Sequence, residues 1–80
     1  LYQNTPNPFN KSTTIKYQLP AKTKDAKIII YDLQGKQLKR YPLKADEGEV
    51  KVSDLPAGIY LYTLIVDNMP IDTKRMILTE

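Results

Sequence analysis

Any catalysis in this chain would have to be built from hydroxyls, carboxylates and amines, because its 80 residues contain no histidine, cysteine or tryptophan. Without imidazole or thiol, a nucleophile such as Ser12 or Ser53 would need a lysine or carboxylate base, and no spacing in the sequence pairs one with either. The carboxylates Asp25, Asp32, Asp46, Glu47, Glu49, Asp54, Asp67, Asp72 and Glu80 fall mostly in expected turns and strand ends, where solvated acids are the rule. None repeats with the spacing of a metal-binding loop. The chain therefore reads as a non-enzyme with no metal, no cofactor and no small-molecule substrate.

Three shorter patterns have bland explanations. Asn10-Lys11-Ser12 fits a glycosylation triplet that arises often by chance. Leu55-Pro56-Ala57-Gly58 is similar to part of a Gram-positive sortase signal, but it lacks the threonine and is followed by a strand, so it is not a cleavage site. The six tyrosines and Phe9 could stack on bases or sugars. Tyr17, Tyr31, Tyr60 and Tyr62 lie inside strand patterns, however, where packing calls for large side chains.

Bulk properties limit the rest. A domain of this length buries only about 60–65% of the surface its unfolded chain exposes, enough for one modest core. With 41% hydrophobic and 26% charged residues it should fold, and with no cysteine it must do so by packing alone. The formal net charge of +3 comes from 12 basic and 9 acidic residues. Only Lys39-Arg40 and Lys74-Arg75 are adjacent basic pairs, so the pattern is ordinary surface charge and not a nucleic-acid footprint. The longest apolar-leaning run, Ile59 to Val66, is far short of a membrane span. A first residue other than Met suggests a piece of something longer, with any export signal upstream.

Two-residue alternation dominates, and no window keeps helical spacing for three turns. Ile15, Tyr17 and Leu19 alternate with polar residues up to Pro20, which ends that strand. Ala26 to Asp32 carries Ile28 and Ile30 on one face and Lys27, Ile29 and Tyr31 on the other, an interior strand. Asp32 to Gly35 turns the chain, with Gly35 free to take a left-handed conformation, into a strand over Lys36 to Tyr41. Pro42 and Lys44 to Glu47 read as a connection, and Val50 and Val52 mark a short strand. Leu55, Pro56 and Gly58 turn into the strongest strand, Gly58 to Asp67, whose two faces should both be covered. Asn68-Met69-Pro70 reads as the last turn and Ile71 to Thr79 as the last strand.

The expected fold is all-β: a small antiparallel two-sheet sandwich of six to seven strands, immunoglobulin-like, with strand order left open and a small open barrel as the alternative. Residues 1–11 form a lead-in and residues 12–80 the sandwich. Pro6 and Pro8 bias Thr5 and Asn7 toward extended backbone, so Thr5 to Phe9 should be stiff and extended, with Phe9 anchoring it.

Taken in order, three segments carry a resemblance: the opening Gln3-Asn4-Thr5-Pro6-Asn7-Pro8-Phe9-Asn10, the Leu-Pro-x-Gly-x-Tyr element of Leu55, Pro56, Gly58 and Tyr60, and the basic-apolar finish Lys74-Arg75-Met76-Ile77-Leu78. With the Ser12 to Tyr17 strand and the turn at Gly35, the whole chain resembles the C-terminal sorting domain (type A) of type IX secretion system cargo. No single piece is specific, but the ordered set is. The chain departs from the pattern in ending on Glu80, where many members end on a basic residue.

The resemblance implies a secretion signal that is substrate and ligand, not catalyst. The cargo, N-terminal in the same parent protein, would reach the periplasm of a Gram-negative bacterium and be recognised by the type IX translocon through this domain. It would cross the outer membrane to the cell surface or medium, and a sortase-like surface peptidase would remove the tag and attach the cargo to an anionic lipopolysaccharide. Because Ile71 to Thr79 has mixed faces, it is expected to be an edge strand that adds to a partner's sheet, with Lys74, Arg75, Met76, Ile77 and Leu78 as the recognised residues. The competing reading of that strand is that it only completes the sandwich. Exchange of such edge strands between two copies would give a homodimer. The alternative function is an immunoglobulin-like adhesion or carbohydrate-binding module, with tyrosines grouped on one sheet face.

Overall fold

A computed structural model describes residues 1–79, so expectations attached to Glu80 lie outside the described residues. Alternating side chains build six strands and no helix among those residues: β1 (Ser12–Gln18), β2 (Ala26–Tyr31), β3 (Gln37–Leu43), β4 (Glu47–Ser53), β5 (Gly58–Val66) and β6 (Met69–Leu78). β1 and β4 form one antiparallel sheet, and a second has the order β3-β2-β5-β6. β2 is thus interior, as its β-branched centre suggests.

Hairpins join β2 to β3 and β5 to β6, whereas β4 crosses to pair with β1. This is the immunoglobulin-like plan: a strand pair facing a four-stranded sheet built around two hairpins. Ile15, Tyr17 and Val52 from the small sheet meet Ile28, Ile30, Tyr62, Leu64 and Met76 from the large one. At the Tyr17↔Gly48 pair the tyrosine ring lies over the glycine, where an added β-carbon would stand only 3.1 Å from the hydroxyl.

Several boundaries differ from the sequence reading. Pro42 belongs to β3 and Met69-Pro70 to β6, and both strands are sheet edges, where a residue lacking N–H is tolerated. The last turn is Asp67-Asn68, with φ of 49° and 68°. Two successive left-handed residues make a tight turn that matches strand twist, so β6 starts earlier than expected. β4 is also longer, running from Glu47 because every residue to Ser53 has a partner on β1. The two faces of β5 are covered unequally: Tyr60, Tyr62 and Leu64 are buried, while on the opposite face Thr63 is buried, Leu61 and Ile65 are half-buried and Ile59 is 40% exposed. Among the described residues, no strand lies over that side of the four-stranded sheet.

Gly35 occupies the expected left-handed position, φ +88°. The Asp32 carboxylate accepts hydrogen bonds from the Gln34 and Lys36 amides, both at 2.9 Å, and fixes that turn. A β-carbon at Gly35 would meet nothing within 4 Å, so only backbone strain opposes a side chain there. Gly35→Ala should therefore destabilise the domain by about 1 kcal/mol without altering its fold, as measured by urea unfolding.

Candidate functional site

The opening segment is a strap that ties the two sheets together at their edges. Thr5 exchanges backbone hydrogen bonds with Thr14 of β1, both 2.9 Å, in an antiparallel bridge. Four residues on, Phe9 lies parallel to Leu78: its N–H donates to the Ile77 carbonyl at 2.9 Å and its carbonyl accepts from the Thr79 N–H at 2.7 Å. Because β1 and β6 belong to different sheets, the segment crosses from one sheet to the other. It therefore bends at Pro6, Asn7 and Pro8, and is not extended throughout as its prolines suggested. The Thr5-Pro6 and Asn7-Pro8 peptide bonds are both cis.

Side chains complete the strap. The Asn7 carboxamide oxygen accepts from the Ile77 N–H at 2.9 Å, and the Gln3 amide donates to the Arg75 carbonyl at 2.6 Å. Phe9 is 2% exposed and joins the core with Leu78 and Met76, the anchor anticipated for it. Buried Asn4 donates from its side chain to the Thr13 hydroxyl and the Pro6 carbonyl.

Beneath the strap, the Tyr62 hydroxyl accepts from the Asn4 N–H and donates to the Tyr2 carbonyl, each at 2.8 Å. Burial, partly offset by the Asn4 hydrogen bond and reinforced by Asp72, pushes the Tyr62 pKa up to about 12. Among the described residues, every buried side-chain polar atom has a hydrogen-bond partner.

The Leu-Pro-x-Gly-x-Tyr element has a physical meaning of its own. Tyr60 folds back so that its hydroxyl donates to the Pro56 carbonyl four residues upstream. That is a tyrosine corner, which fixes the crossing from β4 in one sheet to β5 in the other. Leu55 packs on the core edge, and a β-carbon at Gly58 would stand 3.8 Å from the Tyr60 hydroxyl, beside the ring.

The tail residues separate by face. Met76 (0% exposed) and Leu78 point into the core. Arg75 and Ile77 lie on the opposite, outer face, where they pair with Leu61 and Ile59. Lys74 pairs with Tyr62 and is half-buried. β6 is an edge strand, as expected, but the strap already occupies its edge from Arg75 to Thr79, so that stretch offers no free ladder to a partner.

The tyrosines do not form a platform. Tyr17, Tyr60 and Tyr62 are buried, Tyr31 and Tyr41 lie on opposite faces of the large sheet, and Tyr2 alone is largely exposed. Tyr2 borders a shallow cleft of about 440 Å³ with Lys16, Gln18, Glu47 and Glu49. No three His, Cys, Asp or Glu residues cluster as metal ligands among the described residues. Sequence reasoning missed Asn4, Thr13 and Tyr62 as the polar node; an asparagine two residues before the first proline was the only local hint.

Tyr62→Phe leaves the Asn4 N–H and Tyr2 carbonyl without their partner and should cost about 1–3 kcal/mol at neutral pH. The fold favours the un-ionised phenol, so its contribution is complete below the unfolded pKa near 10 and is lost as pH rises from about 10 to about 12. Melting curves should show the gap between wild type and variant narrowing across that window. A gap independent of pH would sink the assignment.

No curated protein and no solved structure gives a significant match to the chain. A family model does match, described as the secretion system C-terminal sorting domain, over residues 5–79. That span runs from the Thr5 bridge through the tyrosine corner to the last strap bond, with Tyr2, Gln3 and Asn4 of the strap lying just before it. The chain belongs to the family of C-terminal sorting domains, the signals of type IX secretion.

Proposed function

We propose that the domain acts as a folded address: the type IX translocon recognises it in the periplasm, passes its N-terminal cargo across the outer membrane, and leaves the tag to a sortase-like surface peptidase. The observation that carries this reading is the family match over residues 5–79. Residues 1–80 are taken as the unit, with 1–11 as the strap and 12–80 as the sandwich. No catalytic role is assigned to any residue in it.

Within the tail, the faces suggest a division of labour. Met76 and Leu78 support the fold, and their loss would read as a secretion defect for structural reasons. Arg75, exposed, and Lys74 and Ile77, half-buried, are the tail residues available for contact. The carbohydrate or adhesion reading is weakened by the scattered tyrosines.

The test is a fusion of residues 1–80 to the C-terminus of a periplasmic reporter, scored by protease accessibility at the surface of a host with an active type IX system. Wild-type fusion should be exposed there and retained in a translocon-deficient strain. Equal retention in both, with the domain folded, would reject the reading. Met76→Ala should destabilise the domain by about 2–5 kcal/mol and lose exposure together with folding. Lys74→Ala/Arg75→Ala should shift stability by less than about 0.5 kcal/mol per site, yet reduce exposure.

A further inference from the structure

We infer that the outer face of the four-stranded sheet is a docking surface for a flat protein partner whose contact patch is apolar at its centre and carboxylate-rich at its rim. This rests on the sorting reading above and deepens it by locating recognition on a sheet face and not on the terminal peptide alone.

Strand register assembles the face from segments far apart in sequence. One row is Gln37, Tyr31, Leu61 and Arg75; the next is Arg40, Ile29, Thr63 and Thr73; a third is Pro42, Lys27, Ile65 and Pro70; and Ile59 pairs with Ile77 at one end. Thr63 and Thr73 satisfy each other across the strands, hydroxyl to hydroxyl at 2.9 Å, which removes polar demand from the middle of the face. What remains at the surface is an apolar field of Tyr31, Ile59, Leu61, Ile65 and Ile77.

The charge on this face is one-sided. Lys27, Arg40 and Arg75 stand on it, and no carboxylate of the four strands does, because Asp72 pairs with Leu64 on the core side. The chain has 12 cations and 9 carboxylates, so these three cations account for its whole formal charge of +3 and leave the remainder balanced. An apolar surface rimmed by a single sign of charge marks an interaction site and specifies the sign of its partner.

Two other occupants fit less well. A second copy stacked on the same face would set cation against cation with no carboxylate to meet them. A bilayer would require apolar side chains that project several ångströms into the acyl boundary. Here they lie flush: Ile29 is 4% and Thr63 7% exposed, and Leu61, Ile65 and Ile77 are half-buried by their neighbours. Four strands about 4.8 Å apart and roughly seven residues long give a face of roughly 450 Å². That is below the ~800 Å² per partner of stable complexes and suits transient docking.

The test uses the reporter fusion. Lys27→Glu/Arg40→Glu/Arg75→Glu should lower surface exposure by at least about tenfold, while the purified fusion keeps a cooperative melt. Lys16→Glu/Lys51→Glu, on the small sheet, should export like wild type. If the reversal variant does not fold, Lys27→Gln/Arg40→Gln/Arg75→Gln decides by the same criterion. Export of a folded triple variant at the wild-type level overturns the inference and leaves the sorting reading standing, whereas a retained wild-type fusion removes the sorting reading itself. Binding of the purified fusion to vesicles of equal parts phosphatidylglycerol and phosphatidylcholine, lost in the triple variant, would also overturn it by making the partner a membrane.

Discussion

The sandwich depends on one hydrogen-bonded crossing, the point where the Tyr62 hydroxyl meets the backbone of Tyr2 and Asn4. A strand pair cannot by itself cover a four-stranded sheet, and one long margin of the core would stay open to water. The strap closes that margin, but it brings backbone amides and carbonyls with it, and these must be satisfied where they are buried. Tyr62 supplies both a donor and an acceptor there, Asn4 and Thr13 handle the next groups, and Phe9 fills the far end with carbon. Polar satisfaction and hydrophobic cover thus meet along the strap from Tyr2 to Phe9.

The use of tyrosine follows from the size of the chain. With no cysteine and no tryptophan, the core needs large side chains. In so thin a domain, their far ends reach the opposite margin of the molecule. Tyr60 and Tyr62 each extend a ring through the core and place a hydroxyl on backbone beyond it, one on Pro56 and one on Tyr2. Each ring thus packs along its length and fastens a loop or strap at its tip. Tyr17 does a related job against Gly48, whose missing side chain makes room for the ring.

Much of this was legible in the sequence. Two-residue alternation locates all six strands, the Gly35 turn follows from its flanking residues, and a lone phenylalanine in the lead-in marks its anchor. Pro42 and Pro70 misled because proline punctuates most strands but is tolerated at edges, and edge position is a property of the sheet. The Asn4 to Tyr62 contact joins residues 58 apart and leaves no periodic trace. Nor could alternation say which face of β6 was core, since both faces mix polar and apolar residues; only its pairing with Tyr60 and Tyr62 settles that Met76 and Leu78 go inward.

The opposed senses of the strap's two bridges have a mechanical consequence. From Tyr2 beside Lys16 to Phe9 beside Leu78, the strap runs in the same direction as β6, so Leu1 and Thr79 lie toward opposite ends of that pair. Tension between the two ends would draw the strap and β6 past each other lengthwise, loading the bonds at Arg75, Ile77 and Thr79 together and not one after another. A pull on Leu1 directed away from the sandwich would peel the same bonds singly. The domain is thus stiff along its strands and weak across them, and the direction of a pull on Leu1 decides whether the strap holds or opens.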